Sequence, residues 1–360
     1  MKKKSRGKRI LIGTGSVLGV IAAAAAILLL VLTVGEYRPD DVEELAVGGS
    51  HSKELAAGDS VTVMSWNIGY GALGDNADFF MDGGSHVNTA TTERVMENLE
   101  AITAEIRSVQ PDLLLLQEVD TDSKRSHNID EQQAILEQLD GYENTYAYNY
   151  KVLYVPYPLP TIGKVECGIA TFSSYEVSSS ERVSLPCPFS YPLRLCNLKR
   201  CLTVDRIPVK DSGQELVLVN LHLEAYDSGE GKAAQTAMLK ELLEKEAAAG
   251  NYVIAGGDFN QVFSDVDMSR FPVIGDDMWK PGVIDVSEFS DDLHCLMDSD
   301  TPSCRSLDQP YAGADKENFQ YYIIDGFIVS DNLTVESFET IDLQYENSDH
   351  NPLVMRVALN

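Results

Sequence analysis

"PDLLLLQEV", residues 111–119, sets four leucines in a row behind a proline and then turns polar at Gln117 and Glu118. Side chains of a strand alternate between its two faces, so Leu113 to Leu116 leave neither face polar. Such a strand is covered on both sides, which calls for a layered domain. Glu118 stands where the apolar run stops, and an acid at that point needs a partner.

The segments around this strand supply the layers. "TTERVMENLEAITAEIRSV" (91–109) sets Val95, Leu99, Ile102, Ile106 and Val109 on one helical stripe. "SVTVMSWNI" (60–68) reads as a strand, and further strands are expected at 166–172, 193–207, 215–223, 252–257, 321–329, 333–343 and 352–358. A second helix is expected at 232–247, with Ala234, Met238, Leu242 and Glu246 marking one face. No internal repeat occurs. The alternation defines a mixed α/β domain with too many strands for one small sheet.

The N-terminus has a different character. Residues 1–9 carry six bases (Lys2, Lys3, Lys4, Arg6, Lys8, Arg9) and no acid, and Ile10 to Val34 run for 25 residues without a charge. A bilayer core about 30 Å thick needs ~20 apolar residues, so this run spans. It is too long for the ~7–15-residue apolar core of a cleaved secretory signal, and no small-x-small cleavage site follows it. The expected organisation is a cytoplasmic basic tail (1–9), a single transmembrane signal anchor (10–34), an extracellular stalk (35–59) and one folded domain (60–360), with the N-terminus held inside by its bases.

The chain carries a formal charge of −28, and removing the six bases of the tail leaves 22 bases against 56 acids, or −34. That field repels polyanions and argues against nonspecific nucleic-acid binding through counterion release. A bound dication inverts the sign locally, so phosphate chemistry within one cleft stays open. Six cysteines occur; the close pairs Cys196 with Cys201 and Cys295 with Cys304 suit disulfides in an oxidising compartment, and free buried thiols fit as well.

Several apolar runs end in a polar residue that a simple turn does not need. These are Asn67 after "VMSW", Glu118 after "LLLLQ", His222 in "LVNLHL", Asp258 and Asn260 in "VIAGGDFN", and Asp325 in "YYIID". Asp349 and His350, in "NSDHNPLV" (347–354), precede a strand instead. Each alone is an ordinary cap, turn or solvated strand end. Gathered at one mouth, they make an oxygen-rich pocket with acid/base groups, suited to Mg²⁺ or Mn²⁺ rather than zinc.

The motifs "SWNIG", "LLQEVD", "GIATFS", "NLHL", "GGDFN", "IIDGFIVS" and "SDHNPL", in this order over roughly residues 60 to 358, resemble those of the endonuclease/exonuclease/phosphatase superfamily. The resemblance implies a four-layer α/β/β/α sandwich of two packed mixed sheets with outer helices. It implies hydrolysis of a phosphate ester by a water, aided by a divalent cation. By position, Glu118 resembles the principal metal ligand, Asn67 its neighbour, and Asp349 a residue on the metal side. Asp258 resembles the carboxylate that orients or deprotonates the water, and Asn260 the amide that fixes it. His222 resembles the donor to the phosphoryl oxygens, and His350 the acid/base imidazole oriented by Asp325. Whether Asp258 or His350 is the general base stays open.

Substrate identity is expected to lie in loops. "AYNYKVLYVPYPLPTIGKVECG" (147–168), which includes Tyr150, and "LPCPFSYPLRL" (185–195) are aromatic and proline-rich, suited to stacking, to clasping a sugar or to a lipid interface. Lys124 and Arg125 after Glu118, and Lys199 with Arg200, are candidate phosphate contacts. The expectation is a monomeric, membrane-anchored phosphoesterase acting on a lipid headgroup or a small phosphate ester. A cell-surface nuclease is the alternative, and a noncatalytic binding module is an alternative of another class.

Overall fold

In the computed structural model the alternating runs form two sheets packed face to face, with helices on both outer faces. Residues 6–227, 229–275 and 278–360 are described, with side chains from Gly13 onward; the first five residues of the basic tail lie outside them. The first sheet orders its strands Leu333–Thr340, Leu353–Leu359, Ser60–Asn67, Leu113–Asp120, Gly163–Ser173, Glu143–Val155 and Gly48–Gly49. The second runs Val42–Glu44, Ser179–Ser184, Cys201–Lys210, Glu215–His222, Tyr252–Asp258, Asp325–Ser330 and Leu293–Leu296, with Leu55–Ala56 also paired to Cys201–Lys210.

Side-chain parity explains the layers. Leu113 and Leu115 enter the core between the sheets with Val61, Val63, Leu216, Leu218, Ile254 and Phe327. Leu114 and Leu116 face outward, with Met64 and Trp66, beneath the helix Thr92–Val109 and its Val95, Leu99, Ile102 and Ile106. Leu239 and Leu243 of the helix Glu230–Ala248 cover the second sheet. That helix turns one residue from expectation: Leu239, Leu243 and Glu246 are buried, Met238 and Leu242 half-buried, and Ala234 exposed. The carboxylate of Glu246 is compensated by Arg206 at 2.6 Å.

Each sheet contains a parallel pair, and both pairs finish at the same end of the sandwich. Ser60–Asn67 runs parallel to Leu113–Asp120 with Asn67 opposite Gln117, and Glu215–His222 runs parallel to Tyr252–Asp258 with His222 opposite Asp258. Asp325 then pairs antiparallel with Asp258.

Several expectations need correction. Residues 35–59 are not a free stalk: Val42–Glu44 pair with the strand Ser179–Ser184, Gly48–Gly49 with Glu143–Val155, and Leu55 is buried in the inter-sheet core. Their charge conceals short stretches that satisfy sheet-edge hydrogen bonds. Much of the expected loop 147–168 is the hairpin of Glu143–Val155 with Gly163–Ser173. Residues 193–196 form a turn rather than a strand, closed by Asn197 Nδ2 donating to the Leu193 carbonyl at 2.9 Å. All six cysteines are free. Cys196 and Cys201 pack in different clusters, as do Cys295 and Cys304, which separates both expected pairs. Among the described residues, one helix is long and apolar enough to cross a membrane, over Gly13–Val34.

Candidate active site

The parity that fills the core also builds the site. His222 continues the inward-facing series of Leu216, Leu218 and Asn220, and Asp258 that of Tyr252 and Ile254. Asn67 and Asp325 carry the same parity at the ends of their strands. Glu118 has the opposite parity and would point beneath the helices. A bulge between Leu116 and Val119 and a left-handed backbone at Glu118 (φ 55°) turn it to the cavity instead.

The cavity holds about 180 Å³ and is lined by Glu118, His222, Asp258, Asn260, Asp349 and His350 among others. Asp258 Oδ2 lies 3.4 Å from His222 Nε2 and 3.8 Å from His350 Nε2, and accepts from Asn67 Nδ2 at 3.0 Å. Its Oδ1 accepts from the Asn260 backbone N–H at 2.8 Å, while Asn260 Nδ2 donates to the Leu223 carbonyl. Behind His350, Asp325 Oδ2 faces Nδ1 at 2.8 Å. His222 Nε2 stands 4.0 Å from Glu118 Oε1. The Trp66 indole donates to the His350 carbonyl at 2.8 Å and Ser348 Oγ to the Asn67 carbonyl at 2.8 Å, tying the "SDHN" turn to the strand Ser60–Asn67.

Electrostatics separate the two imidazoles. Burial, then the charges of Arg200 and His350, push His222 well below the usual histidine value, so it is neutral at neutral pH. Burial opposes charge on His350 too, but Asp325 and the Cys304 thiol outweigh it and hold its pKa well above the usual value. Burial raises the Asp258 carboxyl to about 7, with Asp325 adding to the rise. Burial likewise raises Glu118 and Asp349.

A hard dication fits the Glu118 and Asp349 side of the cavity. Asp349 Oδ1 is buried without a hydrogen-bond donor, and Gly69 opens room for it: a Cβ there would come within 2.9 Å of that oxygen. Two other clusters, Asp258–Asp325–His350 and Cys304–Asp349–His350, bring donor atoms within 4.8 Å of one another. In the first the imidazole already engages Asp325 at 2.8 Å and faces Asp258 at 3.8 Å; the second offers a thiol that burial pushes up to about 12. Neither suits Mg²⁺ as well as free carboxylate oxygens.

Not every sequence candidate reaches the cavity. Asn67 and Asp325 stand behind it, supporting Asp258 and His350, and the Asn67 Oδ1 accepts from the Gly69 backbone N–H at 3.1 Å. Arg125, Tyr150 and Arg200 line it; Lys124 and Lys199 do not. Lys124 reaches the Thr161 carbonyl, while Lys199 donates to the Arg194 carbonyl and pairs with Glu36, because neighbouring residues project apart. Arg125 is bidentate on Asp120 at 2.9 and 3.0 Å and stacks 3.6 Å from the Tyr70 ring centroid. Sequence reading missed the contact across the mouth, where the Tyr226 hydroxyl donates to Asp82 at 3.0 Å. It also missed buried Arg305, whose guanidinium donates to the Ser306 and Gly74 carbonyls. These residues come from a loop, the short helical turn Phe80–Asp82 and the two-residue strand Cys304–Arg305, all too short to carry a periodic signal.

The model of the Endonuclease/Exonuclease/phosphatase family matches residues 64–350, and the chain belongs to that family. Its members are generally metal-dependent phosphoesterases and nucleases. Among solved structures, an endonuclease/exonuclease/phosphatase from Beutenbergia cavernae DSM 12333 aligns at 18% identity over 84% of this chain and 72% of its own, with a TM-score of 0.53. One from Bacteroides vulgatus aligns at 16% over 84% and 100%, TM-score 0.51, and a family protein from Bacteroides thetaiotaomicron at 15% over 84% and 99%, TM-score 0.50. At these identities the likeness concerns the fold. No curated protein matches.

Proposed function

We propose that this chain is a membrane-anchored, extracytoplasmic phosphoesterase that uses Mg²⁺ or Mn²⁺ to hydrolyse a lipid headgroup or a small phosphate ester. The observation that carries the reading is Asp258 set between two imidazoles of opposite character, in one cavity with the carboxylates of Glu118 and Asp349. Glu118 and Asp349 would hold the cation, while Asn67, expected beside Glu118 as a metal ligand, instead holds Asp258. The bound cation would neutralise phosphate charge and stabilise the leaving oxygen.

The residues divide the proton work. Asp258, raised to about 7, is poised to take the proton of the attacking water, and its contacts with Asn67 and Asn260 fix the lone pair it uses. Neutral His222 donates from Nε2 to a phosphoryl oxygen as charge builds. His350, kept protonated by Asp325, supplies the positive charge and the proton on the other side of the phosphate. Arg125 and Arg200 add fixed cations to the wall, offsetting the acidity of the chain within the cleft.

The helix over Gly13–Val34 supports the anchor, and the bases of residues 1–9 favour a cytoplasmic N-terminus. The test is the full chain in detergent with Mg²⁺ or Mn²⁺, offered phospholipids, inositol phosphates, nucleotides and single-stranded DNA. Release of phosphate or headgroup, abolished by EDTA, is expected. No release from any substrate would refute the enzyme reading, and preferential cleavage of DNA would replace it with a nuclease.

A further inference from the structure

We propose that the rim of this cavity sits in the bilayer interface, so that the enzyme draws its phosphate ester directly from the membrane surface; this rests on the anchored phosphoesterase reading above. Two segments form the side of the cavity that includes Tyr150, Val155, Tyr157, Phe189 and Leu198. The same segments turn large apolar side chains outward: Leu153, Tyr154, Tyr157 and Leu159 from one, Tyr191 and Leu193 from the other. Leu159 is 88% exposed and Leu193 60%, and Tyr157 belongs to both cavity and rim. Apolar surface concentrated beside a cleft on so acidic a chain marks a contact surface.

Continuity with the membrane helix identifies what covers it. Thr33 Oγ1, one residue before the end of the helix, lies 3.3 Å from the Tyr191 hydroxyl, and Leu153 packs against Gly35 so closely that a Cβ would collide with it. Gly13–Val34 is 22 residues, or about 33 Å at ~1.5 Å per residue, so its last turn falls at the edge of the hydrocarbon. Both rim segments therefore meet the helix at interfacial depth, where tyrosines with an apolar ring and a wet hydroxyl are favoured.

No loose linker separates the rim from the helix. Leu32 is buried against the domain, and Glu36 is paired with Arg38 at 2.9 Å, Arg194 at 3.1 Å and Lys199 at 3.5 Å. Tyr37 packs edge-on to Tyr148 at 6.4 Å. These contacts hold the 189–198 side of the cavity at the membrane end of the molecule.

The experiment uses the full chain reconstituted in phosphatidylcholine vesicles. Leu159→Trp and Leu193→Trp are compared with the wild type, whose two tryptophans are buried Trp66 and the cavity-wall Trp279. The added emission is expected to shift blue and to be quenched by phosphatidylcholine brominated on its acyl chains; no quenching at either position would overturn the proposal. In parallel, Leu159→Asp and Leu193→Asp are assayed on vesicles of phosphatidylcholine, sphingomyelin or phosphatidylinositol and on soluble bis(p-nitrophenyl) phosphate. Headgroup release is expected to fall roughly ten-fold or more, with turnover of the soluble ester within about two-fold, because only interfacial anchoring is lost. Equal loss on both substrates would overturn the proposal. Quenching with no turnover of any ester by the wild type would leave the docked rim standing and refute the phosphoesterase reading instead.

Discussion

Replacing Asp325 by asparagine tests the proton assignment without emptying space. The carboxylate faces His350 Nδ1 at 2.8 Å, and both side chains are almost wholly buried. A hydrogen bond to a charged group is worth ~1.5–3 kcal/mol, and one pKa unit corresponds to about 1.4 kcal/mol. Asparagine removes that carboxylate charge, so the His350 pKa should fall and the rate on the alkaline side of the profile should drop by about ten-fold or more. The same change removes a negative charge beside Asp258, which Asp325 helps to raise. Asp258 then loses its proton at lower pH.

The assay is kcat/KM for bis(p-nitrophenyl) phosphate at saturating Mg²⁺ from roughly pH 5 to pH 9, where a bell reports the essential base and acid. Both limbs are expected to move to lower pH, the acidic limb following Asp258 and the alkaline limb following His350. A stability measurement in EDTA gives a second reading. A histidine whose folded pKa is raised contributes stability fully present below its unfolded value of about 6.5 and lost as pH rises through the folded pKa. The wild type should thus exceed Asp325→Asn most at acidic pH, with the gap narrowing in alkali. A variant whose rate falls with both limbs unmoved would show that Asp325 only positions the ring, and the acid/base assignment would be wrong.

Gly69→Ala should disturb the metal side: at φ +54° a side chain costs ~1–2 kcal/mol, and its Cβ would lie 2.9 Å from both Asp349 Oδ1 and the Leu73 Cβ. A lower melting temperature and a raised Mg²⁺ requirement are expected; an unchanged Mg²⁺ titration would remove Asp349 from the cation site. Asp205→Asn addresses stability away from the site. Burial raises the Asp205 carboxyl to about 6 despite hydrogen bonds from nearby hydroxyls, so its stabilising contribution is complete below ~pH 4 and lost as pH rises through about 6. The asparagine variant should gain ~3 kcal/mol on the wild type at pH 8 and lose that advantage toward pH 4, measured by denaturant titration; a pH-independent difference would contradict it. Leu55→Ala should cost ~2–5 kcal/mol in unfolding free energy, because Leu55 is only 2% exposed in the inter-sheet core. No change would restore residues 35–59 to a free stalk.

The site was legible because its residues obey the same alternation as the core. Asn67, His222, Asp258 and Asp325 each continue an inward-facing apolar series past its last hydrophobic member, so the strand pattern and the chemistry are one signal. What escaped lacks that coupling. The strand Glu143–Val155 was hidden by its tyrosines, which alternate properly but resemble an aromatic loop in composition. The segments of residues 42–56 that pair with the sheets are two or three residues long, too short for any period to register. Lys124 and Lys199 were drawn in by adjacency to Arg125 and Arg200, although neighbouring residues, whether in the short helical turn Lys124–Ser126 or on the irregular chain before Cys201, project in different directions.

Glu118 is the informative exception, since its parity alone would bury it beneath the helix Thr92–Val109. Its left-handed backbone is a cost that the surroundings must hold in place. Gln117 does much of that holding: its amide donates to Asn220 Oδ1 at 2.8 Å, and Asn220 Nδ2 donates back to the Leu116 and Ala170 carbonyls at 3.2 and 3.0 Å. Gln117 belongs to the first sheet and Asn220 to the second, so this buried polar pair fixes how the sheets register immediately below the cavity. A wholly apolar interface would tolerate sliding of one sheet on the other at little cost, whereas breaking a buried hydrogen-bonded pair costs ~1–3 kcal/mol per unsatisfied group. The distance between the Glu118 carboxylate and the His222–Asp258 pair is therefore set by the same contacts that turn Glu118 out of its sheet.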